Sequence, residues 1–158
     1  MKSAAAAMIL AASLSVPATA NADCGDPGQD PCTGPVPTVD QVVAIMDRLT
    51  EPNVPAPDKS DIVTPTFNPH QAHVYDTYLH AMDNFPFHDL PLNFIVTDIQ
   101  PAPANLAGAT VTTRGWIGQN SGPMPVVLAA QGGHWLITTD SAMQAMSAFW
   151  KEASRVRI

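Results

Sequence analysis

Four short segments rich in β-branched and aromatic residues follow one another in the second half of the chain: 92–99 (LNFIVTDI), 107–117 (AGATVTTRGWI), 124–130 (MPVVLAA) and 134–139 (HWLITT). Only Pro-Ala-Pro, Gly-Gln-Asn-Ser-Gly-Pro and Gln-Gly-Gly runs separate them. A parallel pair needs a crossover of a dozen or more residues, so connections this short make the neighbours antiparallel. The Gly132-Gly133 pair lies between two of these strands and reads as a hairpin turn; a phosphate cradle would open a helix instead.

One face of such a sheet has to be covered, and three helices are available. Thr38-Val39-Asp40-Gln41 has the form of a capping box, followed by Val39, Val42, Val43, Met46 and Leu49 at helical spacing, which predicts a helix over about 38–50. Pro52, Pro55 and Pro57 end it, and 51–67 is expected to cross as an ordered loop anchored in the core by Ile62 and Val63. Asn68-Pro69 supplies a cap and a first-turn proline for a second helix to about Asn84. Its apolar stripe is expected at Val74, Tyr78, Ala81, Met82 and Phe85 and should pack on the sheet, with His73, Asp76, Thr77, His80 and Asp83 mostly off it. A third helix starts at Asp140 or Ser141 and runs to about Arg155, with Met143, Met146, Phe149 and Trp150 inward. The fold class is therefore α+β: helices on a curved four-stranded antiparallel sheet, ending in a C-terminal helix.

The N-terminus reads as an export signal. Lys2 gives a positive start, Ala4 to Val16 is an uncharged run too short to anchor in a bilayer, and Pro17 ends it. Two small-x-small sites follow, Ala18-Thr19-Ala20 and Ala20-Asn21-Ala22, so residues 1–22 are expected to be a signal peptide cleaved before Asp23. Asn21-Ala22-Asp23 ahead of Cys24 is not a lipid-attachment sequence, and no stable membrane anchor is expected. Residues 23–37 (DCGDPGQDPCTGPVP) form a Pro/Gly/Asp-rich extension with too little apolar area to order itself, and 38–158 form a single domain. In an oxidising compartment the only two cysteines, Cys24 and Cys32, are expected to form a disulfide. The product is expected to be secreted, extracellular or cell-wall associated. A formal charge of −7, with the few Lys and Arg scattered, excludes a nucleic-acid partner.

Three runs carry a family resemblance: Leu49-Thr50-Glu51-Pro52-Asn53-Val54 followed by Lys59; Asp89-Leu90-Pro91-Leu92 leading to Val96-Thr97-Asp98-Ile99-Gln100-Pro101-Ala102; and Gln131-Gly132-Gly133-His134-Trp135-Leu136 leading to Ser141-Ala142-Met143. In order and spacing, over about residues 38–150, they resemble the low-molecular-weight secreted antigens of mycobacteria and their actinobacterial relatives. The resemblance implies a cystatin-like α+β domain, related to that of nuclear transport factor two, in an exported protein seen by host immune cells. It implies no catalytic residues. The Cys24/Cys32 extension and the His-bearing second helix depart from the family pattern.

Few residues point to chemistry. No Gly-x-Ser-x-Gly elbow is present, and Asp140-Ser141 reads as a helix cap. His70 and His73 form an i, i+3 pair and are weak metal candidates. His80 lies about 15 Å from His70 along the helix, so His88 or a carboxylate from elsewhere would have to complete a ligand shell near 2 Å. No metal and no cofactor is expected. A concave sheet face can enclose a pocket, and Trp116, Trp135, Tyr75 and Tyr78 are candidates to line it, with His134 and Asp98 as its polar groups. The first functional reading is a secreted, non-enzymatic protein that binds an unknown protein or a small apolar ligand. The alternatives are a small pocket enzyme of isomerase or hydrolase type and an extracellular metal binder using the helix histidines.

Overall fold

The computed structural model describes residues 24–25, 28–84, 90–114 and 121–155. Their order is α1 (Val39–Leu49), a 3₁₀ turn (Ala56–Lys59), β1 (Val63–Thr64), α2 (Pro69–Asp83), β2 (Asn93–Ala102), β3 (Leu106–Arg114), β4 (Met124–Gln131), β5 (His134–Thr138) and α3 (Thr139–Arg155). Two capping boxes set the starts of α1 and α2. Thr38 and Gln41 exchange side-chain-to-backbone hydrogen bonds, and so do Asn68 and Gln71. In each, the N-cap oxygen takes an otherwise orphaned N–H and the glutamine returns to the N-cap amide.

β2 to β5 form an antiparallel meander, and the sheet order is β1-β5-β4-β3-β2. The sheet is thus five-stranded and mixed, one strand more than the sequence implies. The extra strand comes from the crossing loop: Val63 and Thr64 pair in parallel with Ile137 and Thr138. Without it, β5 would leave an outer row of backbone groups open. Instead Ile137 N–H donates to Ile62 O at 2.8 Å. On the other side, where β5 has ended, Val127 N–H donates to Ser141 Oγ at 2.9 Å, tying the start of α3 to β4. Both residues of the Gly132-Gly133 hairpin turn have positive φ, 58° and 79°, as a tight two-residue hairpin requires. The β2–β3 turn uses Ala104 and Asn105 in the same left-handed region, at 59° and 61°.

The helices gather on one face. α1 lies along β2 and reaches β5, and α3 lies on β4, β5 and β1. α2 does not pack on the sheet as its amphipathic pattern suggests. It forms an outer layer against α3 and the 3₁₀ turn. Its phase shifts accordingly: the buried residues are Ala72, Tyr75, Leu79 and Met82, whereas Val74, Tyr78 and Ala81 are half-buried, and Phe85 lies outside the described residues. In α1 the core takes Val42, Ile45, Met46 and Leu49, while Val39 at the first turn stays exposed. Val111, Val126, Leu128 and Ile137 on the covered sheet face are no more than 1% exposed and join α1, α2 and α3 in one apolar cluster. Among the described residues, the covered sheet face is packed with these side chains.

Ahead of α1, Cys24 and Cys32 are joined in a disulfide. Inside this loop Gly25 N–H donates to Asp30 O at 3.0 Å. The loop faces Gln100, Pro101, Ala102 and Pro103 at the end of β2 across a cavity of about 680 Å³.

The alternation along β4 makes the two sheet faces distinguishable by mutation. Leu128 is fully buried and Val127 is 37% exposed. Leu128→Ala is expected to cost about 2–5 kcal/mol in urea unfolding and Val127→Ala to stay within about 0.5 kcal/mol. Equal losses would show that the outer face is also covered.

Candidate functional site

An α-helix ends with carbonyls that no further turn satisfies. At the C-terminus of α1, side chains from three segments take them. Thr50 Oγ1 donates to Met46 O at 3.0 Å, the Tyr75 hydroxyl of α2 donates to Leu49 O, and Lys59 Nζ donates to Arg48 O at 2.8 Å and Glu51 O at 3.0 Å. Lys59 has no solvent exposure, and its ammonium lies 5.9 Å from the centroid of the Tyr75 ring. Phe67 packs on the other side of this tyrosine, with ring centroids 4.8 Å apart. A further bond fixes the loop to α2: Ala56 N–H donates to Asp76 Oδ1 at 2.8 Å.

Between the strapped loop and α2 lies an open groove of about 500 Å³, lined by Pro52, Asn53, Pro55, His73, Asp76, Thr77, Leu79 and His80. His73 and His80 are two turns apart, about 10 Å along the helix, and both are exposed. Thr77 sits between them and donates its hydroxyl proton to His73 O at 2.8 Å, leaving its oxygen lone pairs to accept. Asp76 is half-buried, and among the described residues its Oδ2 makes no hydrogen bond. The groove therefore offers an apolar wall of prolines and Leu79 beside a row of hydrogen-bonding groups.

Two groups beside the groove titrate away from their ordinary values. Burial, reinforced by the Arg48 charge, pushes the Lys59 ammonium down from 10.5 to about 8, against the opposing pull of Glu51, Asp76 and Asp61. Burial, with the Asp76 charge, holds the Tyr75 phenol well above 10.0.

The residues expected to line a sheet pocket do not converge. Tyr75 is fully buried and serves the α1 cap, while Tyr78 and Trp135 are half-buried against the core. His134 is exposed at the β4–β5 turn, and Asp98 is exposed at the irregularity in the edge strand β2, with φ 52°. With β3 and β4 between their strands, they are about 14 Å apart across the sheet and displaced further along it by the register. Trp116 and His88 lie outside the described residues. His70 is exposed in the first turn of α2, and His73 enters the groove. Among the described residues no three His, Cys, Asp or Glu side chains come together as a metal would require. Sequence reasoning placed Asp76 and Thr77 on the polar side of α2. It used Pro52 to end the first helix and Asn53 only within a family-like run; their part in the groove depends on where the loop folds back.

Comparison with known proteins places the chain. The family model described as low molecular weight antigen MTB12, C-terminal domain, matches residues 35–152. Low molecular weight antigen MTB12 of Mycobacterium bovis and that of Mycobacterium tuberculosis are each 35% identical over 121 residues, covering 75% of this chain and 70% of theirs. The Mycobacterium leprae homolog is 29% identical over 127 residues, covering 76% of this chain and 71% of its own. The chain belongs to this family of low-molecular-weight antigens.

The α1 cap predicts an unusual alkaline stability profile. A lysine with a lowered pKa in the folded state releases its proton before the unfolded chain does, so stability rises with pH from about 8 towards 10.5. A tyrosine with a raised pKa has the opposite effect, and stability falls above about 10. The thermal midpoint is expected to climb between pH 8 and 10 and then turn over. Tyr75→Phe should delay the turnover, and Lys59→Met should abolish the climb. A wild-type midpoint that falls steadily from pH 8 would contradict the assignment.

Proposed function

We propose that this member of the low-molecular-weight antigen family is exported after loss of a signal peptide at residues 1–22. Outside the cell it acts as a non-enzymatic binding protein, with its ligand in the groove between α2 and the Pro52–Pro55 loop. The observation that carries the site assignment is the filled inner face. Among the described residues, Val111, Val126, Leu128 and Ile137 pack the inner sheet face under α1 and α3, whereas the groove is open and mixes apolar walls with hydrogen-bonding groups. The antigen names of the relatives and the Cys24–Cys32 disulfide support export. Among the described residues no helix is long and apolar enough to cross a membrane.

A pocket enzyme needs an acid–base group held against substrate in a sequestered site. His134 and Asp98, the groups best suited by type, sit exposed on separate strands, so nothing in the geometry favours that reading.

Intact-mass analysis of culture supernatant is expected to find a chain that starts at Asp23 and carries the mass of the disulfide-bonded form. A full-length chain in the membrane fraction would overturn the export assignment. Amide chemical shifts recorded against a panel of small neutral and charged compounds are expected to move at Asn53, His73 and Thr77. Shifts centred on Val111, Val126 and Leu128 would move the site to the sheet.

A further inference from the structure

We infer that the groove between α2 and the Pro52–Pro55 loop takes a small organic cation, a primary ammonium on an apolar stem. This inference rests on the binding role proposed for the same groove and names its ligand class. The charge argument starts from Asp76. One carboxylate oxygen accepts from Ala56 N–H at 2.8 Å, and the other makes no hydrogen bond among the described residues while the side chain lines the groove. A half-buried carboxylate with one oxygen committed and one uncommitted is an acceptor for a charged donor, and such bonds are roughly twice as strong as neutral ones.

The neighbours point the same way. Thr77 has spent its proton on His73 O, so its oxygen offers only lone pairs to a ligand. Asn53 can turn its amide oxygen inward, and among the described residues no Lys or Arg lines the groove to compete for Asp76. Lys59 and Arg48 are occupied at the cap: Lys59 by two carbonyls, Arg48 by Glu51 at 2.6 Å and Asp61 at 3.3 Å. The apolar lining, Pro52 and Pro55 from the loop and Leu79 from α2, suits an aliphatic or ring-bearing stem. The chain's net charge of −7 draws cations to its surface before any contact is made. An anion would meet the Asp76 carboxylate at the groove wall, where the lining residues supply no Lys or Arg to pair with it.

The test compares three probes of one stem length, hexylammonium, hexan-1-ol and hexanoate, titrated at neutral pH into the intact secreted protein while amide shifts are followed. Hexylammonium is expected to give saturable shifts at Asn53, Asp76 and Thr77, with an affinity about tenfold above that of hexan-1-ol, and hexanoate to bind more weakly than either. Asp76→Asn keeps an acceptor for Ala56 N–H and removes the charge, so it should bring hexylammonium down to the hexan-1-ol level without changing hexan-1-ol itself. Equal affinity for all three probes at these residues would overturn the cation assignment and leave the groove as a binding site. Saturable binding of hexylammonium elsewhere, or of no probe at all, would remove both. The wild-type comparison stands whether or not the Asp76→Asn variant folds.

Discussion

A lysine with no solvent exposure survives in this fold because the end of α1 supplies what it needs. An ammonium stripped of water costs several kcal/mol unless donors find acceptors, and a helix C-terminus is a set of acceptors carrying partial negative charge. Lys59 meets two of those carbonyls and the face of Tyr75, while Tyr75 meets a third. The exchange is reciprocal: the Arg48 and Glu51 carbonyls, which accept only long backbone bonds, gain a charged donor, the ammonium gains acceptors, and the phenol is hydrogen-bonded within the core. The junction gathers α1, the 3₁₀ turn and α2 at one point. The placement of α2, and so the groove, follows from it.

The sheet obeys a second constraint of the same kind. Its inner face is covered by α1 and α3, the free edge of β5 is closed by two residues of the crossing loop, and the Ser141 hydroxyl ties the start of α3 to β4. One open groove lies where a loop stiffened by proline spans the flank of an outer helix. Pro52 and Pro55 cannot donate to α2, so the loop approaches it through Ala56 N–H and leaves a gap beside that bond.

How much of this was legible in the sequence depended on the range of the signal. The capping box at Thr38, the cap at Asn68, the Gly132-Gly133 hairpin and the meander β2 to β5 are written in neighbouring residues, and their positions could be read within a few residues. The phase of α2 could not. The buried residues Ala72, Tyr75, Leu79 and Met82 do form one stripe, but it is turned from the expected one because α2 packs on α3 and the 3₁₀ turn, contacts that its own residues do not announce. β1 escaped notice because two residues carry no period, and its existence is decided by the open edge of β5 some seventy residues later. Lys59 stood in the sequence as a member of a family-like run, and its burial follows only once Tyr75 and the end of α1 are brought together. The residues proposed for a sheet pocket were chosen by type, and aromatic type serves a core as well as a cavity.

The cap and the groove share a charge, and that makes them one electrostatic unit. Asp76 faces the groove, favours the charged form of Lys59 and opposes ionisation of Tyr75. A cation seated against Asp76 would offset that field, so the Lys59 ammonium would lose part of its support and its pKa would move further below about 8. Linkage makes the effect reciprocal: deprotonation of Lys59 leaves Asp76 less compensated and the groove more attractive to a cation. Arg48, Glu51 and Asp61 surround Lys59 on the opposite side and remain paired with one another, so they supply a fixed background to this exchange. The coupling stays modest because Lys59 donates to carbonyls and not to Asp76 itself, and its hydrogen bonds survive a change in the charge across the loop.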